Sequence, residues 1–158
     1  MCNNTLLGKR LDLSKTIDIF NNLIKNDEWE TLIRLFSLNI LDINYRDCKG
    51  RNILYFAILN KKYEYIKTLF DLRVSHNVNY HLNALNFAVC LDDTKALDIL
   101  LKCGLDIDIQ DEIGTSALIY SILYNKKKCK DFLLLNGANI ELEDFMGNCA
   151  RDLLKSKE

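Results

Sequence analysis

The sequence predicts an all-α solenoid, in which pairs of short helices stack side by side. The prediction rests on a six-residue pattern: small polar, apolar, Leu, any residue, aromatic, small. The pattern occurs at residues 52–57, 83–88 and 116–121, and its leucines lie 31 and 33 residues apart. A nearly fixed period of this length indicates an array of units that bury their apolar faces only by stacking.

The composition is that of one globular domain. The chain has 158 residues, of which 49% are apolar and 27% charged, with a formal net charge of −1. So small a net charge gives no overall attraction to nucleic acid or membrane surfaces. No apolar run approaches the roughly 18–20 residues of a membrane span, and no secretory signal follows Met1. We therefore expect a cytoplasmic protein, or one acting in a host cytoplasm or nucleus if it is viral or an effector.

The period divides the chain into an extension and five successive units. The extension covers 1–13, and the units cover 14–46, 47–78, 79–110, 111–143 and the truncated 144–158. Helices are predicted over about 53–59 and 63–72, 84–91 and 94–102, 117–124 and 129–136, and 149–155. Each is shorter than the ~12 residues at which isolated helices become marginal, so stability must come from stacking. The two outermost units are expected to cap the stack.

Turn residues mark where these helices begin and end. Ser116 is placed to cap the helix that follows it, and Gly114 is available for a turn that needs a positive φ. Gly104 and Gly137 are expected to end second helices in a left-handed conformation. Arg73 takes this position in the second full unit, so we expect the helix end there to be less well determined.

The units resemble ankyrin repeats. Residues 111–118, Asp-Glu-Ile-Gly-Thr-Ser-Ala-Leu, are similar to the D-x-x-G-x-T-P-L opening of that family, and residues 133–140 are similar to its closing Leu pair and G-A-D-V-N. Further matches at 47–50 and 100–107 extend the resemblance over about 14–155. It implies an ankyrin-repeat solenoid of about four helix-turn-helix repeats plus a C-terminal cap helix, with short β-hairpin-like loops called fingers.

The chain departs from the ankyrin pattern in two ways. The family's proline, which presets φ at the first helical residue, is replaced throughout, and we expect slightly lower stability as a result. The replacements are Ile53, Ala84, Ala117 and Ala150. The unit that begins near Asn79 lacks Asp-x-x-Gly and is two residues short, with Tyr80 and His81 at the turn. We expect its finger to be shortened or distorted.

The resemblance implies a concave binding face built from the first helices and the fingers. The C-terminal ends of the first helices, which fall outside the core between units, carry mostly apolar residues: Leu59, Asn60, Cys90, Leu91, Leu123 and Tyr124. Solvated positions usually carry polar side chains, so an aligned apolar row indicates a contact surface. The alternative is that these residues are ordinary core, covered by neighbouring segments.

The finger tips form the second predicted contact region. They carry Lys49, Arg51, Tyr80, Leu82, Glu112, Ile113, Phe145 and Met146. Turn tips are usually polar, whereas Tyr, Phe, Met and Arg are types that anchor interfaces. We therefore expect the tips to contact a protein partner, with packing of Phe145 on the C-terminal helix as the alternative.

Two other patterns are interpreted as structural. The aromatic residues of the six-residue pattern, Phe56, Phe87 and Tyr120, are expected in the core rather than in a base-stacking row. The lysine run at 126–128 lies in a helix-helix turn whose equivalents are basic at 61–62 and acidic at 92–93. Because the sign of the charge alternates, no basic stripe forms, as a nucleic-acid track would require.

No enzyme or cofactor site is apparent in the sequence. P-loop, GxSxG and HExxH motifs are missing. The six cysteines contain no CxxC pair, and neither His76 nor His81 has a cysteine nearby. We expect small buried cysteines, no metal, no cofactor and no catalytic residue.

The leading functional hypothesis is a non-catalytic module that binds one protein partner and inhibits or sequesters it. The partner would be a toxin or enzyme met by an immunity protein, or a host factor met by a viral or bacterial modulator. The alternative is a structural or assembly subunit that self-associates or scaffolds a larger complex. The leading hypothesis expects a monomer when the protein is free.

Overall fold

A computed structural model describes residues 13–156 of the protein. They form nine helices: α1 (Leu13–Lys25), α2 (Trp29–Ser37), α3 (Ile53–Leu59), α4 (Tyr63–Asp71), α5 (Ala84–Cys90), α6 (Thr94–Lys102), α7 (Ala117–Leu123), α8 (Lys127–Leu135) and α9 (Ala150–Lys155). The predicted extension, 1–13, lies outside the described residues except for its last position. Most predicted helix bounds agree with these to within one residue. α8 begins two residues before the predicted start, because its first two residues, Lys127 and Lys128, give no apolar signal.

The helices form two layers. The first helices of successive units follow one another in one layer, and the second helices follow one another in the other. α1 joins its layer through the rings of Phe20 and Phe56, whose centroids lie 5.8 Å apart. The leucines and aromatic residues of the six-residue pattern are buried between units, which confirms their prediction as core. They are Leu54, Leu85, Leu118, Phe56, Phe87 and Tyr120.

Side-chain caps set the start of three first helices. Asn52, Asn83 and Ser116 each accept a hydrogen bond from the backbone N–H three residues on, at 3.1, 2.9 and 3.4 Å. Such a cap satisfies one of the free N–H groups of a helix start and contributes about 1 kcal/mol. Asn52 also donates through Nδ2 to the carbonyl of Ser75 at 2.8 Å. One side chain therefore starts α3 and holds the connection after α4 against that start.

Left-handed residues follow the second helices. Gly104 and Gly137 have φ of 90° and 85°, and Arg73 has a φ of 63°. The backbone N–H of Arg73 bonds back to the carbonyl of Phe70 at 2.8 Å, as that of Gly104 does to its own helix. α4 therefore ends as regularly as α6 and α8, although a residue with a side chain costs about 1–2 kcal/mol in this conformation.

Antiparallel bridges close three of the fingers at their bases. They pair Asn77 with Asn83, Gln110 with Ser116, and Glu143 with Cys149. We number the fingers from the N-terminus as 47–51, 78–82, 111–115 and 144–148. The bridge of the second finger spans as many residues as the other two, so the prediction of a shortened finger is wrong. The two missing residues lie in the connection between Arg73 and Asn77, before the finger begins.

The second finger is distorted, which was the other outcome predicted for it. In the third finger, Asp111 Oδ1 accepts from the N–H groups two and four residues on, and Gly114 turns the chain at a φ of 76°. In the second finger, Asn79 Oδ1 accepts instead from His81 at 2.9 Å and from Leu82 at 2.7 Å. The asparagine side chain thereby forms a tighter turn that needs no glycine.

Candidate protein-binding surface

The C-terminal ends of three first helices share an exposed, mostly apolar face. We call this face the palm; it comprises Leu59, Asn60, Cys90, Leu91, Leu123 and Tyr124. Leu59, Leu91, Leu123 and Tyr124 are 42%, 41%, 52% and 57% exposed. Asn60 is exposed and Cys90 half-buried. The alternative that the apolar members are sealed core is therefore wrong, while their role in binding stays a prediction.

Tyr124 is held in place by the core beneath it. Its ring stacks on that of Tyr120, with centroids 5.5 Å apart and planes at 25°. The Tyr120 hydroxyl in turn donates to Asp111 Oδ2 at 2.9 Å. Burial, together with this carboxylate, raises the pKa of Tyr120 above its ordinary value, so the hydroxyl stays a donor. An aromatic ring fixed in this way loses little conformational freedom when it enters an interface.

Tyr55 is a partly exposed aromatic residue that the sequence analysis did not single out. It is half-buried, and its ring stacks on Phe87 with centroids 4.3 Å apart and planes at 20°. The Arg51 guanidinium lies 5.3 Å from the centre of the Tyr55 ring, a cation–π distance. Tyr55 occupies the unspecified position of the six-residue pattern, where Asn86 and Ile119 are buried. An aromatic residue at a position that tolerates any residue is the signal that could have found it.

Arg51 is fixed by its own finger. Its Nε donates to Asp47 Oδ2 at 2.7 Å, and the same carboxylate accepts from the backbone N–H groups of Lys49 and Arg51, both at 2.9 Å. Burial raises the pKa of Asp47, but these hydrogen bonds outweigh it and hold the pKa below the ordinary value. Asp47 and Arg51 therefore stabilise the first finger, and Lys49 remains as an exposed cation at its tip.

The predicted apolar tips are exposed. Tyr80 and Ile113 are each 57% exposed, Phe145 is 77% exposed and Met146 is 84% exposed. Glu112 is also exposed, whereas Leu82 is half-buried and packs against the core. Leu82 therefore anchors the second finger to the core and does not lie at the finger tip, where it was predicted.

An aromatic ring of one finger rests on the glycine of the finger before it. A Cβ added at Gly50 would lie 2.4 Å from the Tyr80 ring, and one at Gly114 would lie 2.5 Å from the Phe145 ring. The backbone N–H of Phe145 also donates to the carbonyl of Ile113 at 3.1 Å. Phe145 therefore packs on the preceding finger, and the third and fourth fingers are joined at their tips.

Charges in the helix-helix turns pair between units. Lys62 Nζ lies 2.5 Å from Asp27 Oδ2, and the Tyr63 hydroxyl donates to Asp93 Oδ2 at 2.6 Å. Burial and the Asp93 carboxylate raise the pKa of Tyr63 to about 12. One ion pair and one hydrogen bond thus join neighbouring units at these turns, and the ion pair, at the surface, contributes little to stability.

Chemical sites are few in the part of the chain that the structure describes. Between residues 13 and 156, no three His, Cys, Asp or Glu side chains are arranged to hold a metal ion, and no helix is long and apolar enough to span a bilayer. The cysteines in this part are free thiols. Burial raises the pKa of Cys90 and Cys103, which favours the unreactive thiol form.

Stacked helix pairs with linked fingers and an exposed apolar face define a repeat protein that presents a surface. The chain belongs to the ankyrin repeat family, because the family profile for ankyrin repeats (3 copies) matches residues 14–111. The prediction of an all-α ankyrin solenoid is thereby confirmed. Ankyrin repeats are, as a class, protein–protein interaction modules without catalytic activity.

Two poxvirus proteins are similar to this chain. Over 99 residues, 63% of the chain, it is 29% identical to the "Interferon antagonist OPG039" of Monkeypox virus. Over the same length it is 30% identical to the "Interferon antagonist OPG040" of Vaccinia virus (strain Western Reserve). The aligned region covers 35% of each relative, so the chain matches only about a third of their length.

Proposed function

We propose that this chain binds one protein partner through the palm and the finger tips, and that it inhibits or sequesters that partner without catalysis. The observation that carries the proposal is the apolar palm, where Leu59, Leu91 and Leu123 are each more than two-fifths exposed in three consecutive units. Contiguous exposed apolar side chains of this kind mark contact sites on folded proteins.

The names of the relatives support one kind of partner. Both matched proteins are named interferon antagonists, which supports a host protein of the interferon response as the partner. Binding would take place in the host cell, in its cytoplasm or nucleus. Inhibition would work by occlusion, since a rigid surface with anchored rings can cover a docking site without any moving part.

A paired set of variants tests the proposal. Leu91→Asp combined with Tyr124→Asp places two charges in the palm, and should abolish capture of proteins from interferon-treated cells because a buried unpaired charge is costly. The free energy of unfolding should change little, since both residues are exposed in the free protein. Capture is measured by affinity purification with mass spectrometry, and stability by thermal unfolding.

Leu135→Asp is the control, which places one charge at an exposed leucine outside the palm. Leu135 is 86% exposed at the end of α8, in the layer of second helices. It should leave capture unchanged. Unchanged capture by the palm variant, or equal loss in both variants, would refute the palm as the binding face. Light scattering of the free protein should give a monomer; a stable oligomer would favour the assembly-subunit alternative.

A further inference from the structure

The two ends of the row of fingers differ in charge. The loops that hold the third and fourth fingers, 103–116 and 136–149, contain seven acidic side chains and no lysine or arginine. They are Asp106, Asp108, Asp111, Glu112, Glu141, Glu143 and Asp144. The loop of the first finger, 38–52, contains three basic and two acidic side chains. A protein with a net charge of −1 thus concentrates negative charge at one end of its predicted contact surface.

Most of these carboxylates already have partners within the fold. Asp111 and Asp144 accept hydrogen bonds inside their own fingers, Asp108 accepts from the N–H of Asn139 at 2.8 Å, and Glu141 pairs with Arg151. Asp106 accepts from the N–H of Asp108 at 3.0 Å. Glu112 and Glu143 are both exposed. His81 Nδ1 lies 3.8 Å from Glu112 Oε2, and the His81 side chain is 84% exposed.

Exposed apolar side chains adjoin these two glutamates along the chain, in the third and fourth fingers. Ile113 and Phe145 are joined through the hydrogen bond at the finger tips, and Met146 follows at 84% exposure. We call the group Glu112, Ile113, Glu143, Phe145 and Met146 the acidic edge. An apolar patch flanked by exposed charges of one sign selects a partner of opposite sign and repels a partner of like sign.

We infer that the acidic edge binds a Lys- or Arg-rich segment of the protein partner that also carries apolar side chains. This inference rests on the proposed function and deepens it, since it states the chemistry of the partner at one end of the surface. Nucleic acid has the wrong sign for this edge.

A second copy of the chain fits less well. The first finger offers few free cations, because Arg46 donates to the carbonyls of Gly50 and Asn77 at 2.7 and 2.8 Å and Arg51 is bound to Asp47. A copy docked head to tail would therefore leave the acidic edge largely uncompensated.

Peptide probes test the inference without a known partner. Two synthetic peptides of about eight residues, long enough when extended to cross two fingers, alternate Leu with Lys or Leu with Glu. They are titrated against the full ¹⁵N-labelled chain at about 0.05 and 0.15 M salt. The Debye screening length is shorter at the higher salt, so attraction between charges is weaker there. The Lys peptide should shift the amides of 111–115 and 144–148 and bind more weakly at the higher salt. The Glu peptide should bind at least about tenfold more weakly than the Lys peptide.

Charge-matched variants locate the effect. Glu112→Gln with Glu143→Gln should weaken the Lys peptide about fivefold or more, mostly through slower association. Glu30→Gln with Glu64→Gln removes the same charge from exposed positions on α2 and α4, and should weaken it less than about twofold. A Lys peptide with Ser in place of Leu should also bind more weakly, because the apolar contacts are lost.

Three outcomes would overturn the inference. The Lys peptide could shift amides mainly outside the third and fourth fingers, or both pairs of variants could weaken its binding equally. The third outcome is that dimers form with rising protein concentration and shift the amides of the acidic edge without peptide. The proposed function is tested separately by the palm variants. If the palm variants lose capture while the Glu112 and Glu143 variants bind the Lys peptide normally, only the inference about the acidic edge fails.

Discussion

Replacing Gly114 by alanine should destabilise the protein in two separable ways. Gly114 has a φ of 76°, a conformation that costs a residue with a Cβ about 1–2 kcal/mol. Alanine also reduces the conformational entropy of the unfolded chain, which offsets about 0.4–1 kcal/mol of this destabilisation. In addition, the new Cβ would lie 2.5 Å from the Phe145 ring and 2.8 Å from the Phe145 backbone nitrogen. Moving that backbone endangers its hydrogen bond to Ile113, worth about 1 kcal/mol.

Gly137→Ala separates the two effects. Gly137 has a φ of 85°, but nothing lies within 4 Å of the position a Cβ would take. We therefore expect Gly137→Ala to lower the free energy of unfolding by about 0.5–1 kcal/mol. Gly114→Ala should lower it by about 2 kcal/mol. Urea unfolding followed by circular dichroism, with equal slopes for both variants, measures the difference.

A third variant identifies the atoms responsible. In a Phe145→Ala background the ring is gone, so Gly114→Ala should cost less than it does in the natural chain. It should still cost more than Gly137→Ala, because the backbone nitrogen of residue 145 remains too close. Equal costs for Gly114→Ala and Gly137→Ala in the natural chain would refute the reasoning, since the close contact would then have no energetic weight.

Three further variants test other parts of the fold. Leu118→Ala removes a side chain that is 1% exposed and should lower the free energy of unfolding by about 2–5 kcal/mol in urea melts. Arg73→Gly relieves the left-handed arginine and should raise it by about 0.5–1 kcal/mol; a loss would show that the arginine side chain matters. The pKa of Asp47 is lowered in the folded protein. Its contribution to the free energy of unfolding is therefore fully present above about pH 4 and is lost as the pH falls further. Asp47→Asn should therefore lose more stability at pH 7 than at about pH 3, as thermal melts at both pH values would show.

Local chemistry explains why the helices could be predicted from the sequence. The first helices begin at capping residues such as Asn52 and Ser116, whose preference for that position depends only on groups three residues away. The leucine and aromatic positions of the repeat are core because every unit stacks in the same way. The repeat also predicted that Leu91 and Tyr124 are exposed, because the C-terminal ends of the short first helices lie outside the core between units.

Contacts between units could not be predicted from the repeat. The Tyr80 ring covers Gly50 across 30 positions of sequence, and nothing in a single unit records that pairing. The place of the two missing residues was also hidden, because the Asn79 side chain replaces a glycine turn with hydrogen bonds of its own. The aromatic side chain of Tyr55 is unusual at its position in the pattern, but only packing between units decides how far it is exposed.

In two places an aromatic ring packs on the glycine of the preceding finger. This packing restricts how repeats can be exchanged between such proteins. Excising one repeat at its helix boundaries would part Gly114 from Phe145, or Gly50 from Tyr80, and leave a bare glycine in one product and an unsupported aromatic residue in the other. The smallest piece that can be transplanted intact therefore runs from a glycine to the ring above it, out of phase with the helix pairs. Lineages that gain or lose repeats in this stack should keep the two residues together.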